Sequence, residues 1–153
     1  MSSSSLLFIL ALALFITSSE CSLFDPYHVH VTNILSQNKI LLVHCKSKDD
    51  DLGVHNLTVG QEFSWSFKLN FFGTTLFWCY MAPDDHSHVA FKVFWVSGKL
   101  FDRCDAAQNC FWVAKDDGVY LRDTRRNEDV YKQEWQPGRF KADHNQGDLD
   151  TND

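Results

Sequence analysis

The sequence predicts an all-β protein, an antiparallel β-sandwich (immunoglobulin-like) stapled by two disulfides. Three observations support this fold class. Hydrophobic residues alternate with a period of two, turn signals recur at short intervals, and four cysteines are spread along the chain behind an apolar leader. Hydrophobic residues make up 44% of the 153 residues, with 13 Phe and 5 Trp, which is enough material for one core.

The apolar leader spans residues 6–16 and is followed by Thr17-Ser18-Ser19-Glu20-Cys21-Ser22. A run of this length cannot span a bilayer, and small residues follow it as they do at a signal-peptide cleavage site. Residues 1–21 are therefore predicted to be a secretory signal peptide, although the first five residues lack Lys and Arg. Cleavage after Cys21 or after Ser19 would fit, and the competing interpretation is a buried N-terminal helix.

Export places the cysteines in an oxidising compartment. After cleavage at Cys21 the chain keeps Cys45, Cys79, Cys104 and Cys110, an even number that favours two disulfides. No C-x-x-C pair is present, so a structural zinc site is not expected. The sequence leaves three connectivities open. We favour the nested pairing Cys45–Cys110 with Cys79–Cys104. In this pairing Cys45 and Cys79, which lie in predicted strands, each bond to one of the two cysteines that are close in sequence.

Alternation is clearest in two segments. Residues 62–69 place Phe63, Trp65, Phe67 and Leu69 on one face, and residues 89–95 repeat the pattern. Further strands are predicted at 28–33, 39–47, 75–81, 99–102, 110–114 and 118–122. Turn signals separate them at 36–38, 49–53, 59–60, 70–73, 83–85, 97–98 and 116–118, with a positive φ expected at Gly53.

The formal net charge of −6 is concentrated at the C-terminus. Residues 141–153 carry four Asp against one Lys and almost no apolar side chains, so we predict an acidic disordered tail. Residues 22–140 form the single predicted domain and are close to neutral. Such a body lacks the basic face that nucleic acid or an anionic membrane requires, so we expect no nucleic-acid binding and no membrane insertion.

A series of motifs follows in order along residues 28–122. They are Val43-His-Cys45-Lys-Ser47, Asp49-Asp-Asp-Leu-Gly53, His55-Asn-Leu57, Trp65-Ser-Phe67, Asn70-Phe-Phe-Gly73-Thr-Thr-Leu-Phe-Trp-Cys79, Phe101-x-x-Cys104, Asn109-Cys110-Phe-Trp112 and Asp116-Asp-Gly118-Val-Tyr120. Together with the four cysteines they resemble the plant self-incompatibility protein S1 family. The resemblance implies a small secreted plant protein with a β-sandwich fold. The founding role of that family is a stigma-expressed ligand that pollen recognises in self-rejection.

Metal and cofactor chemistry is not expected. Asp49, Asp50 and Asp51 are consecutive, whereas calcium loops space their acids at alternate positions, so a solvated turn is preferred. The pairs His28-x-His30 and His86-x-His88 offer only two ligands each, which is too few for zinc or copper alone. We expect no metal and no cofactor.

Catalysis is not expected either. The sequence has no G-x-S-x-G elbow, and oxidised cysteines supply no thiolate. The sequence does not exclude a carboxylate pair for glycoside hydrolysis, because such a pair is defined by the distance between its two carboxyl groups. Trp65, Trp78, Trp95 and Trp112 are predicted to fill the core rather than to form a sugar platform, and the aromatic residues of 70–73 are predicted to pack between the sheets.

Recognition is predicted in two loops, residues 83–88 and 102–109. The second carries Asp102, Arg103, Asp105, Gln108 and Asn109, and a loop bounded by Cys104 and Cys110 loses less entropy on binding. The expected partner is a plasma-membrane or cell-wall receptor protein. The alternative is a secreted defence-related or carbohydrate- or metal-binding protein. Replacing Asp105 and Gln108 by Ala is expected to weaken binding without changing the melting temperature.

One glycosylation site is predicted. Asn56-Leu-Thr58 is an acceptor sequon without proline at its middle position, so Asn56 should face solvent if it is modified.

Overall fold

The computed structural model describes residues 25–138, so the predicted signal peptide and acidic tail lie outside the described residues. Within that range the elements are β1 (Tyr27–Asn33), β2 (Leu41–Lys46), β3 (Asp51–Leu57), β4 (Glu62–Phe67), β5 (Leu76–Ala82), β6 (Ser87–Trp95), the helical turn α1 (Gly98–Phe101), β7 (Asn109–Lys115), β8 (Gly118–Asp123), β9 (Glu128–Gln133) and β10 (Gln136–Pro137).

The strands form two five-stranded sheets, with the orders β4-β1-β7-β8-β9 and β10-β6-β5-β2-β3. The predicted all-β sandwich is thereby confirmed. Neighbouring strands run antiparallel, with one difference from the prediction: β1 and β7 run parallel, with His28 beside Asn109. Parallel neighbours require a long crossover, and the five strands between β1 and β7 supply it.

The core lies between the two sheets, and its buried and partly buried side chains come mostly from β1–β8 and α1, but not from the edge strands β9 and β10. Trp112 on β7 is buried there and contacts Phe91 of the opposite sheet edge-on, with ring centroids 5.0 Å apart. Its indole Nε1 donates a hydrogen bond to the Val93 carbonyl at 2.9 Å. Trp112 therefore joins the sheets by both packing and polar contact. Trp65 and Trp95 pack against this core only partly buried.

Two segments differ from the predicted elements. Residues 99–102 were expected to be a strand, but 98–101 form α1, in which the Phe101 and Asp102 N–H groups donate to the carbonyls of Ser97 and Gly98. Residues 49–53 were expected to be a turn, but β3 already begins at Asp51. The Gly53 φ is +79°, as predicted, and the β2–β3 register shifts opposite it, so this glycine lies in an irregular edge strand.

Strand β9 was not predicted, because its residues are polar and largely exposed and show no alternation. Tyr131 opposes Tyr120 of β8, and Val130 opposes Leu121, so cross-strand pairing holds the strand in place. The short strand β10, also not predicted, pairs with the start of β6 through Gln136 and His88. Edge strands of this kind carry little hydrophobic signal in the sequence.

The strand registers place the loops at two ends of the sandwich. Tyr27 lies opposite Phe67, so the start of β1 and the end of β4 share one end of the sandwich. The loop of residues 68–75 leads from there to the start of β5, where Leu76 lies opposite Trp95 at the end of β6. We call this end the disulfide-loop end, formed by residues 47–50, 68–75, 96–108 and 124–127. The other, which we call the acidic end, is formed by residues 34–40, 58–61, 83–86 and 116–117.

Candidate recognition surface

Two disulfides are present, as predicted, but the predicted nested pairing of Cys45 with Cys110 and Cys79 with Cys104 is wrong. Cys45 is bonded to Cys79, and Cys104 is bonded to Cys110. Strands β2 and β5 are neighbours, and Cys45 lies directly opposite Cys79 with their Cα atoms 4.0 Å apart. The sequence does not reveal which strands are neighbours, which is why the pairing could not be derived from it. Each bond closes its own loop, and the Cys104–Cys110 bond closes the predicted recognition loop on itself.

Asp105 organises the disulfide loop from the inside. Its Oδ1 accepts hydrogen bonds from the backbone N–H groups of Ala107 and Asn109, both at 2.9 Å. The Asn109 amide also donates to both carboxylate oxygens at 3.0–3.1 Å. The Asp105 carboxylate therefore makes its hydrogen bonds within the loop. We now expect Asp105→Ala to lower stability, which replaces the expectation of an unchanged melting temperature.

Gln108 and Asn109 attach the loop to strand β1. The Gln108 φ is +64°, and its carbonyl accepts the His28 N–H at 3.0 Å. The Asn109 Oδ1 lies 3.1 Å from Nε2 of His30, whose Nδ1 lies 2.7 Å from Glu62 Oε1. These two predicted recognition residues thus hold the loop in position, and their polar atoms face the protein.

Asp102 and Arg103 face a hairpin that the sequence analysis missed. The Arg103 carbonyl accepts hydrogen bonds from both the N–H and the hydroxyl of Thr124 at 3.0 Å. Asp102 pairs with Arg125 at 3.2 Å, and their side chains are 69% and 66% exposed. An ion pair this exposed contributes little stability, so both charges are available to a partner. Asp102 is the predicted residue that the structure presents to solvent, and Arg125 joins it.

The hairpin itself is shaped by Asp123. This carboxylate is largely buried, and its Oδ1 accepts the N–H groups of Arg125 and Arg126, both at 3.1 Å. Asn127 follows with a φ of +53°. An Asp followed closely by Asn is a turn signal, and this is the feature of the sequence that could have located the hairpin.

Phe71 and Phe72 project from the loop between β4 and β5, where they are 97% and 84% exposed. The prediction that they pack between the sheets is wrong. Asn70 frames the turn: its Oδ1 accepts the Thr74 N–H at 2.8 Å, and its Nδ2 donates to the Thr74 hydroxyl at 2.7 Å. Because polar residues close the base of the turn, the two phenyl rings between them point outward.

The acidic end contains the other predicted recognition loop, residues 83–88. Asp84 accepts the His86 N–H at 2.8 Å and the Ser87 hydroxyl at 2.9 Å. The His86 N–H is the main reason that the pKa of the Asp84 carboxyl lies below its usual value. Asp116 accepts the Ser36 N–H at 3.0 Å, and this bond lowers its pKa in the same way. At the acidic end, backbone N–H groups of the loops are thus hydrogen-bonded to carboxylates.

A buried amide holds the loops of the acidic end together. The Asn33 side chain is fully buried, and its Nδ2 donates to the carbonyls of Lys39 and Leu57 at 2.9 and 2.8 Å. Its Oδ1 accepts the Leu35 N–H at 2.8 Å. All of its hydrogen-bonding atoms are used, so Asn33 is a structural residue.

Asn56 lies on the edge strand β3 near the acidic end and is exposed. It borders an open depression of about 420 Å³ lined by Ile40, Leu42, Asn56, Tyr80, Ala82, Asp84 and Asp85. The predicted acceptor asparagine therefore has space for a glycan. Whether it is modified stays a prediction.

The histidine pairs do not converge on a common point. His30 contacts Glu62, whereas His88 Nδ1 lies 2.6 Å from the Gly138 carbonyl. Asp51 is held by the Gly53 N–H, His44 and Lys46, which together keep its pKa well below its usual range. Within residues 25–138, no group of three or more His, Cys, Asp or Glu side chains is arranged to hold a metal ion. Over the same range, no helix is long and apolar enough to cross a membrane.

The sequence model of the family "plant self-incompatibility protein S1" matches residues 28–135, which extends beyond the recognised motifs and includes β9. S-protein homologs 74 and 1 of Arabidopsis thaliana are 47% and 45% identical over 114 residues, 74% of each chain. Self-incompatibility protein S1 of Papaver rhoeas is 30% identical over 113 residues, 74% of this chain and 80% of that one.

A solved structure gives an independent comparison of the fold. It is described as an SPH (self-incompatibility protein homologue) protein, from "a widespread family of small, highly stable, secreted proteins from plants". The TM-score is 0.55 at 18% identity, with 74% of this chain and 96% of that chain covered. At this identity the similarity shows a shared fold.

Proposed function

The chain belongs to the plant self-incompatibility protein S1 family, and on this premise we propose that it is a secreted ligand for a plasma-membrane or cell-wall receptor protein. Secretion is supported by the leader in residues 1–21 and by the description of the structural neighbour as a secreted protein. In this proposal residues 22–140 are the binding domain, and the protein is not an enzyme.

The disulfide-loop end is the proposed contact surface. Its main loop is closed by Cys104–Cys110, braced internally by Asp105 and clamped to the neighbouring hairpin by Thr124. A loop that is already ordered loses little conformational entropy when a partner binds. The single observation that carries the proposal is that this rigid surface exposes the charged pair of Asp102 and Arg125.

A glycan at Asn56 would fit this orientation. Asn56 pairs with Leu42 near the start of β2, close to the acidic end and away from the disulfide loop. Carbohydrate there would cover the depression on that face and leave the disulfide-loop end accessible. A mass shift of the secreted protein that a glycosidase removes would support occupancy, and an unmodified mass would reject it.

Binding of the oxidised protein to plant plasma-membrane vesicles and to isolated cell walls tests the proposal. The double variant Asp102→Ala/Arg125→Ala should bind at least threefold more weakly. The control Lys39→Ala/Asp117→Ala removes one charge of each sign at the acidic end and should bind as the wild type does. If the wild type binds neither preparation, the ligand role is wrong. If only the control variant loses affinity, the contact surface lies at the other end.

A further inference from the structure

The loop between β4 and β5 presents an apolar surface that the protein itself does not cover. The rings of Phe71 and Phe72 are 5.6 Å apart between centroids and set at 86° to each other, so they expose differently oriented faces. Burying a phenyl ring is worth about 2–3 kcal/mol, and a folded protein rarely leaves two adjacent ones in water. Neither ring contributes to the core cluster.

The frame beneath these rings is ordered. The Asn70 carbonyl accepts the Gly73 N–H at 3.1 Å, and the Asn70 N–H donates to the Thr75 hydroxyl at 2.9 Å. With the two bonds between Asn70 and Thr74, hydrogen bonds link the first residue of the turn to its last three. Gly73 has a φ of +65°, which other residues rarely adopt. The turn therefore fixes the backbone from which both Phe71 and Phe72 project.

An aromatic cluster connects this turn to the disulfide loop. Phe67, at the end of β4, lies 4.6 Å from Phe94 and 6.4 Å from Tyr27 between ring centroids. Tyr27 in turn stacks on Phe101, just before the disulfide loop, at 5.0 Å. The two loops therefore rest on one packed base, and a partner that contacts one is placed to contact the other.

We propose that Phe71 and Phe72 insert together into an apolar cleft of the partner protein and anchor the complex. This inference rests on the proposed function and names the chemistry of its contact. Phe is enriched in the buried centres of protein interfaces, where a few aromatic anchors supply most of the affinity. The exposed Asp102–Arg125 pair would then lie in the polar surround of the same interface.

A second copy of the chain fits this surface less well. Two Phe side chains supply about 300–500 Å² in total, whereas a stable interface buries about 800 Å² on each partner. The rings protrude, so a symmetric contact would have to meet another protrusion instead of a cleft. A partner with a complementary cleft can use the pair as an anchor within a larger contact.

A lipid surface also fits less well. Interfacial aromatic residues bind membranes strongly when free cations surround them. The disulfide-loop end carries six cations, Lys48, Lys68, Lys99, Arg103, Arg125 and Arg126, against the four carboxylates of Asp49, Asp50, Asp102 and Asp105. The resulting net charge of +2, spread over the whole end, gives only a weak attraction to anionic lipid. In addition, a fluid bilayer does not require the fixed geometry that Asn70 imposes.

Sedimentation binding tests the inference with labelled, oxidised protein and plant plasma-membrane vesicles. The variant Phe71→Ser/Phe72→Ser removes both rings, and Ile40→Ser, whose parent residue is 55% exposed at the acidic end, is the matched control. Two further preparations are trypsin-treated plasma-membrane vesicles and protein-free vesicles of phosphatidylcholine and phosphatidylserine. Melting temperatures of all variants are measured in parallel and should match the wild type.

The expected result is saturable, trypsin-sensitive binding of the wild type, at least tenfold weaker for Phe71→Ser/Phe72→Ser and unchanged for Ile40→Ser. Equal affinity of the wild type and the Phe71→Ser/Phe72→Ser variant would overturn the anchor while leaving the proposed ligand role standing. Ring-dependent binding to protein-free vesicles would overturn the protein cleft in favour of lipid. Absence of wild-type binding to any preparation would overturn the ligand role and the anchor with it.

Discussion

The two ends of the sandwich are built in the same way but present different surfaces. Each end has a brace, meaning a polar side chain that is hydrogen-bonded to several loop backbone groups: Asp105 in the disulfide loop and Asn33 at the acidic end. Outside these braces, one end exposes Phe71 and Phe72, whereas the other exposes the acids Asp84, Asp85, Asp116 and Asp117. The difference is that Phe71 and Phe72 are presented by a turn that other residues order, whereas Asp84 and Asp116 both order the loops of the acidic end and are exposed there.

The braces themselves differ in burial. Asn33 is fully enclosed, and a neutral amide suits that position because an unpaired buried charge would be costly. Asp105 is partly exposed, and the Cys104–Cys110 bond supplements it as a constraint on the loop. We therefore expect the acidic end to depend on a single side chain more than the disulfide-loop end does.

The largest expected effect separates the two disulfides. Cys45–Cys79 closes a segment with a sequence separation of 34, and Cys104–Cys110 closes one of 6. In the chain-entropy model these loops are worth roughly 4 and roughly 2 kcal/mol. Urea unfolding of Cys45→Ala/Cys79→Ala and of Cys104→Ala/Cys110→Ala should reproduce this order. A larger loss for the short loop would mean that the disulfide-loop end determines global stability.

The second prediction compares the two braces. Asn33→Ala leaves the Leu35 N–H, the buried Leu57 carbonyl and the partly buried Lys39 carbonyl without their partner, so it should cost about 3 kcal/mol. Asp105→Ala should cost about 1–2 kcal/mol, because water can reach part of that loop. Chemical denaturation measures both losses. Equal losses would contradict the proposed dependence of the acidic end on one side chain.

The third prediction concerns acid. Folding lowers the pKa of Asp84 and of Asp116 below the ordinary value of 3.8, so each stabilises the folded state above that pH. This contribution is lost as the pH falls through the lowered pKa values, and the melting temperature should therefore drop below about pH 4.

The variant Asp84→Asn/Asp116→Asn isolates this effect. Asparagine keeps an oxygen that can accept the backbone N–H groups but does not titrate, so the melting temperature should fall less steeply in acid than that of the wild type. Melting curves from pH 7 to pH 2.5 provide the measurement. An identical acid slope in both proteins would show that these carboxylates do not link the acidic end to stability.

The smallest effect is expected at the exposed apolar residues. Phe71→Ser/Phe72→Ser and Ile40→Ser should each change the free energy of unfolding by no more than about 0.5 kcal/mol, because these side chains are largely in water already. Chemical denaturation of the two variants beside the wild type checks this. A loss of several kcal/mol for the Phe variant would show that the rings pack against the domain and would remove the basis for an anchor.

Much of the fold could be predicted from the sequence because buried faces leave a periodic trace. The alternation in β4 and the buried residues Val89, Phe91 and Val93 of β6 match the predicted strands. The edge strands β3 and β9 leave no such trace, since most of their side chains are polar or exposed and only Leu57, at the end of β3, is buried. Their positions are set by pairing with β2 and β8, which is long-range information.

The candidate site was predictable only in part. Cysteine spacing pointed to the loop of residues 102–109, but composition alone could not distinguish Asp105, which turns inward, from Asp102, which faces solvent. The sequence predicts an interior position for Phe71 and Phe72, because aromatic residues are usually buried. Their exposure depends on the turn framed by Asn70, and a hydrophobicity pattern does not contain that geometry.

Photo-crosslinking from each end most directly tests the claim that the disulfide-loop end carries recognition. A benzoylphenylalanine replaces Phe72 in one protein and Ile40 in the other, and each oxidised protein is irradiated on plant plasma-membrane vesicles. We expect a polypeptide crosslinked from position 72, competed by excess unlabelled wild type, and none from position 40. A competed crosslink from position 40 without one from position 72 would contradict this claim.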